Sequence, residues 1–140
     1  MVWDLGQPAA YLCRYTADKL LVTLKQVRIA ARMVSTFAGD CKAAGSIDGS
    51  GVNARFAEQL HGISYDGSGA LYVADTQNST IRKIDIATQH VTTVVGVAKQ
   101  SNLKLGPLPG SLYSPVFVLP VGRDLFILDL GAGLLRAHFP

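Results

Sequence analysis

A few acids, histidines and thiols carry whatever chemistry this sequence has, and their spacing decides what each can do. Asp75 and Arg82 are the tempting charged pair, able either to meet a ligand or to fix the loop between two strands. Asp48-Gly49-Ser50-Gly51 has the outline of a cation loop. A calcium cage needs several oxygen ligands at alternating positions, and after Asp48 the next acid is Glu58. The expectation is therefore a turn in which Asp48 accepts nearby backbone amides. The same glycines are not continued by the GxxG that a phosphate loop requires. His61, His90 and His138 fall at the starts and ends of different segments, which should diverge, whereas zinc needs three ligands on one point. No Gly-X-Ser-X-Gly elbow is present. Cys13 and Cys41 lack metal-ligand spacing; a bridge between them is neither required nor excluded. No catalytic residue, metal set or cofactor is expected.

These residues must be held by a chain of 140 residues, a length that suits one domain. It is 49% apolar and 16% charged, which excludes a charged disordered tail. Thirteen basic and ten acidic residues give a net charge of +3 with no basic run, so no nucleic-acid partner is expected. Neither a membrane span nor a signal peptide is visible.

The positioning elements announce themselves by turns. Between Gly62 and Gly96, the segments Gly62–Asp66, Ala70–Asp75, Ile81–Asp85 and Val91–Val95 are short, apolar or alternating, and β-branched. Gly67-Ser68-Gly69, Thr76–Thr80 and Ala87–Gln89 separate them. Four strands joined by short loops predict an antiparallel meander. The pattern recurs upstream, where Val27–Gly39 lies over Ile84–Gly96 without a gap, and Met1–Asp4 over Ile63–Asp66. It recurs downstream, where Asp124–Asp129 lies over Ala70–Asp75 and Leu135-Arg136 over Ile81-Arg82. Tyr72, Val73, Ile84 and Val94 are expected in the core, with Phe126, Ile127, Val27 and Phe37 as their copies. Leu20, Leu21, Leu24, Val27 and Ala31 have helical spacing as well; the ungapped repeat favours strands. Because Asp129 and Arg136 repeat the spacing of Asp75 and Arg82, that pair is expected to serve each repeat structurally.

Asp48-Gly49-Ser50-Gly51, Ala54-Arg55-Phe56, Gly62-Ile63, Asp66, Leu71–Thr76, Asn78, Ile81–Ile84 and Val91-Thr92-Thr93 together resemble an NHL repeat. The match is close over Val34–Gly96 and degenerate on either side. It departs at His61, where such repeats usually carry proline, and at Cys13-Arg14-Tyr15, where Ala-Asp-Thr should stand. The resemblance implies an all-β fold of propeller blades, each a four-stranded meander. Its strand at Gly62 would line the channel and its strand at Val91 would lie outermost. A degenerate first blade at 1–39, the best-matching blade with its inter-blade loop at 40–96, and a truncated third at 97–140 are expected. Propellers hold about 4–8 blades, so these leave the ring open.

The implied function is a non-enzymatic binding scaffold with a protein partner or self-association. Arg55, His61, Gln77 and Asn78 are the candidate contacts on the loop surface, and Asp48, Asp75 and Arg82 the structural loop residues. The alternative is part of a metal-dependent lyase or hydrolase of propeller form, with further ligands outside this chain.

Overall fold

The computed structural model describes residues 9–12, 24–28, 33–40 and 42–140. Cys13 and Cys41 lie outside these residues, as do Met1–Asp4 and most of the stretch with helical spacing. Within that stretch, Leu24–Arg28 is a strand.

The elements run β1 (Ala9–Leu12), β2 (Leu24–Arg28), β3 (Met33–Ala38), β4 (Gly49–Ser50), β5 (Ile63–Tyr65), β6 (Ala70–Asp75), β7 (Thr80–Asp85), β8 (His90–Val95), β9 (Pro115–Val121), β10 (Asp124–Asp129) and β11 (Gly133–His138). They form three antiparallel sheets in the orders β1-β2-β3, β4-β8-β7-β6-β5 and β11-β10-β9. The middle sheet contains the expected meander plus a fifth strand. Strand β8 is not its edge, because Gly49 and Ser50 pair outside it with Val91 and His90.

Strand β6 shows why the middle sheet is central. Every residue of Ala70–Asp75 except Tyr72 is buried, so both faces of the strand are covered and the usual in–out alternation is absent. Leu71, Val73, Ile84 and Val91 face one cluster, with Phe37, Ala38 and Phe56. Ala74, Ile81 and Val95, with the partly buried Tyr72 and Val94, face a second cluster built with Leu112, Val118, Leu125 and Ile127. The middle sheet is thus sandwiched between β3 with its following loop and the third sheet.

The turn between β5 and β6 is closed by one carboxylate. Oδ1 of Asp66 accepts the amides of Ser68, Gly69 and Ala70 at 2.8, 3.0 and 2.9 Å. Gly67 and Gly69 supply φ of +79° and +124°. Burial pushes the Asp66 carboxyl up, but these amides and the Ser68 hydroxyl together hold it below the ordinary carboxylate range. Its folded form therefore releases the proton more readily than the unfolded chain does. The stabilisation is complete above the ordinary aspartate range and is lost as pH falls through the lowered folded value. Asp66→Ala should cost about 1 kcal/mol at neutral pH, and the gap to the unsubstituted protein should close on acidification. Urea melts of both proteins across the acid range measure it; a gap that stays constant would contradict the assignment.

The third sheet departs from its expected register. In the middle sheet Val73 pairs with Arg82, across a connection of Thr76–Ser79. In the third sheet Ile127, the copy of Val73, pairs with Leu135, because the turn Leu130–Ala132 is one residue shorter. A slip of one residue exchanges the two faces of a strand. Leu135 therefore occupies the place of Arg82, and Arg136 points away, exposed and paired with Asp124 at 2.9 Å. The expected repeat of the Asp75–Arg82 pair by Asp129 and Arg136 is corrected accordingly. Asp129 alone keeps its task, accepting the amides of Tyr113, Ser114 and Gly131. Phe126 is also corrected: it is half-buried on the open face of the sheet rather than in the core.

Candidate functional site

The middle sheet holds a polar network around Arg82, whose side chain is fully buried. Its guanidinium donates to Oδ2 of Asp75 at 2.9 Å, to Oδ1 of Asp48 at 2.8 Å, and to the carbonyls of Arg55 and Ile47, both at 3.0 Å. It also lies 5.1 Å above the centroid of Phe56. Asp75 is equally buried and accepts from the Ala57 amide at 3.1 Å and from Nδ2 of Asn78 at 2.9 Å. Asn78 gives its amide to the Gly45 carbonyl as well. Asp48 turns its other oxygen to the Thr93 amide, while Oδ1 receives the Thr93 hydroxyl. Burial raises the Asp75 carboxyl above the ordinary carboxylate range, against the pull of Asn78, Arg82 and the Ala57 amide. The network joins the 45–57 loop to β6, β7 and β8. Its donors and acceptors are spent on one another and on the backbone, except Nε of Arg82, which is buried without a partner among the described residues.

The four candidate contacts divide. Asn78 is buried, not on the surface, and its amide is committed as described. Arg55 is largely occupied, donating to the Val52 and Ala54 carbonyls and pairing with Asp40 at 3.1 Å. Gln77 is exposed, its oxygen accepting the Glu58 amide at 3.2 Å. His61 is exposed, with Nδ1 2.8 Å from the Thr76 hydroxyl. That hydroxyl has one proton and gives it to the Pro115 carbonyl at 2.6 Å. Nδ1 of His61 must therefore carry the hydrogen, which leaves Nε2 as the acceptor of the neutral ring. His61, Thr76, Gln77 and Glu58 lie together where the chain enters β5 and turns from β6 to β7. His90 and His138 are elsewhere, on Ser50 and Asp124. Among the described residues no three of His, Cys, Asp or Glu gather as a metal site, and no helix is long and apolar enough to cross a membrane.

Sequence reasoning missed a set of hydroxyls. Ser64, Thr76 and Ser79 donate to the carbonyls of Val118, Pro115 and Tyr113 at 2.6–2.7 Å, tying the middle sheet to the third. Small hydroxyls near strand ends give no distinctive sequence signal. Gly62 lies in the same junction, where a Cβ would fall 2.8 Å from the Val116 carbonyl oxygen.

The other face of the third sheet is open. Phe117, Leu128 and Leu134 form one cross-strand row; Leu119 and Phe126 form the next, ending at Arg136. Phe117, Leu119, Leu128 and Leu134 are all exposed, Leu134 by 71%. By repeat position, Phe126 and Leu128 copy Tyr72 and Ala74, the residues with which the middle sheet packs on the third.

No protein-family model matches the chain. It is 31% identical to NHL repeat-containing protein 2 of Bos taurus and 28% identical to that of Homo sapiens, in each case over 90% of this chain and 19% of the relative. The chain thus spans about a fifth of the length of the curated relatives it matches. Among solved structures it resembles a Bacteroides thetaiotaomicron protein of unknown function, with a TM-score of 0.73, 24% identity, and coverage of 92% of this chain and 34% of the other. It also resembles an auxiliary nutrient binding protein of that bacterium, with a TM-score of 0.68, 19% identity, and coverage of 96% and 35%. These structures bear on the fold alone. With the repeat, the open antiparallel sheets and these relatives in agreement, the chain belongs, as a partial match, to the NHL-repeat β-propeller family.

Proposed function

We propose that the chain is a non-enzymatic interaction module that binds protein through the open face of β9, β10 and β11, with a second copy as its readiest occupant. The observation that carries this is the contiguous apolar surface of Phe117, Leu119, Leu128 and Leu134. Its repeat copy in the middle sheet is a face that packs against a neighbouring blade. On this reading the chain divides into blades at 1–39, 40–96 and 97–140. Asp48, Asp75 and Arg82 serve the fold, and with them Asn78 and Arg55. His61 and Gln77 are the remaining polar contacts at the loop end.

Light scattering tests the proposal. The unsubstituted chain should self-associate and bind a hydrophobic dye, whereas Leu128→Lys with Leu134→Lys should give a monomer with an unchanged melting temperature. Both side chains are exposed, so neither substitution empties the core. A dye-silent monomer before any substitution would refute the proposal.

A further inference from the structure

A polar hollow lies over the outer strands of the middle sheet, apart from the Arg82 network and from the open face of the third sheet. It holds about 480 Å³ and is lined by Ser50, Lys83, Asp85, Thr88, His90 and Thr92. These residues come from β4, β7, β8 and the turn that joins β7 to β8. All are polar, and each is exposed or half-buried. Ser50 pairs across the ladder with His90, and Lys83 with Thr92, so two polar rows form the floor.

Two opposite charges face this hollow without meeting. Lys83 and Asp85 stand two residues apart on β7, so their side chains leave the same face of the strand about 7 Å apart. Neither forms an ion pair among the described residues. Asp85 is tied to the turn instead, where its Oδ1 accepts the amide and the hydroxyl of Thr88, both at 2.8 Å. Those two bonds, with a smaller pull from Lys83, hold its carboxyl below the ordinary carboxylate range, so it is ionised at neutral pH. The Ser50 hydroxyl lies 2.9 Å from Nδ1 of His90, which fixes the ring and leaves Nε2 for another partner.

We propose that this hollow binds a free polar α-amino acid in its zwitterionic form. Its carboxylate meets the Lys83 ammonium and the Thr92 hydroxyl, and its ammonium meets the Asp85 carboxylate. Its side chain reaches Nε2 of His90. The signs decide the class of ligand. A simple anion is drawn by Lys83 and repelled by Asp85, and a simple cation meets the reverse. A ligand that carries both charges one carbon apart is attracted at each end. The lining holds no large apolar side chain, so an apolar ligand gains nothing there. None of these residues belongs to the open face of β9, β10 and β11, so the proposal stands or falls apart from the protein-interaction reading.

The probe is L-serine, titrated into the full chain at low salt and followed by NMR shifts of the amides between Lys83 and Thr92. Two controls each lack one charge: ethanolamine has no carboxylate and 3-hydroxypropionate has no ammonium. An exposed ion pair is worth about threefold, and each control also leaves a like charge facing its own, so serine should bind about tenfold tighter than either. Added salt should shrink that margin. Lys83→Gln should bring serine level with ethanolamine, and Asp85→Asn should bring it level with 3-hydroxypropionate. Asparagine keeps an acceptor for the Thr88 turn, and neither substitution empties the core, so both variants should melt with the unsubstituted chain. Equal binding of the three probes, a preference for serine that survives both substitutions, or no shift in these amides would overturn the proposal. N-acetyl-L-serine amide, which has neither charge, should not bind. Binding of that probe as tight as serine would mean that a peptide segment, not a free amino acid, fits the hollow, and would overturn it too.

Discussion

Val73→Asp is expected to leave no folded protein at room temperature. Val73 is 1% exposed and sits between Ile63 and Arg82 in the middle sheet, in the cluster with Phe37 and Phe56. The substitution forfeits about 1.5–3 kcal/mol of apolar burial. It also buries a further carboxylate beside Arg82, whose guanidinium Asp75 and Asp48 already hold, so one acid is left short of a partner at several kcal/mol more. A domain holding about 5–15 kcal/mol in total has little left after that. Val73→Ala separates the two terms, because it opens a cavity without adding a charge and should cost about 2 kcal/mol. Circular dichroism melts of the three proteins read the result. An aspartate variant melting with the unsubstituted chain would remove Val73 from the core.

Arg82→Met should be the next most damaging change, at about 3–5 kcal/mol, because it removes the cation and leaves Asp75 buried beside two abandoned carbonyls. The loss should fall first on the 45–57 loop, because Arg82 holds the Ile47 and Arg55 carbonyls and the Asp48 carboxylate together. Its remaining ties run mainly to β8, through β4 and the Gly51 amide, and to Asp75 and Asn78. Hydrogen exchange should therefore show the loop's amides opening well before the β6–β7 ladder. Asp75 adds a sign. Burial already raises its carboxyl, and Arg82 is one of the groups holding it down, so the variant raises it further. A carboxyl with a raised folded value favours the protonated folded state. The deficit of the variant should therefore shrink as pH falls into the carboxylate range. Combining Asp75→Asn with Arg82→Met should cost less than the sum of the two, since each change spares the other's orphan. Strict additivity would show that the pair does not act as a unit.

What was legible in the sequence follows from which forces are local. The strands from Ile63 to Val95 emerge within about a residue of their expected bounds, because glycines and the Asp66 turn fix their ends. Strand β4 left no trace, since Gly49 and Ser50 have no strand preference and are paired only because β8 lies beside them. Arg136 was misread because sequence alignment counts letters, whereas the pleat counts from the turn, and the turn had lost one residue. Asn78 looked like a surface amide from its polar neighbours, but Asp75, three positions earlier, draws it inward. The exposed state of His61 and Gln77 could be guessed from loop composition; the proton placement on His61 needed Thr76 and Pro115.

The hydroxyl ties between the middle and third sheets run one way. Ser64, Thr76 and Ser79 give the protons, and the receiving groups are the main-chain carbonyls of Val118, Pro115 and Tyr113. A carbonyl is supplied by every residue type, so these three hydrogen bonds ask nothing of the side chains on the receiving side. The apolar contacts of Leu112, Val118, Leu125 and Ile127 set that side's sequence requirement instead. The polar half of the joint is thus written entirely into the donating blade, while its apolar half is shared between the two.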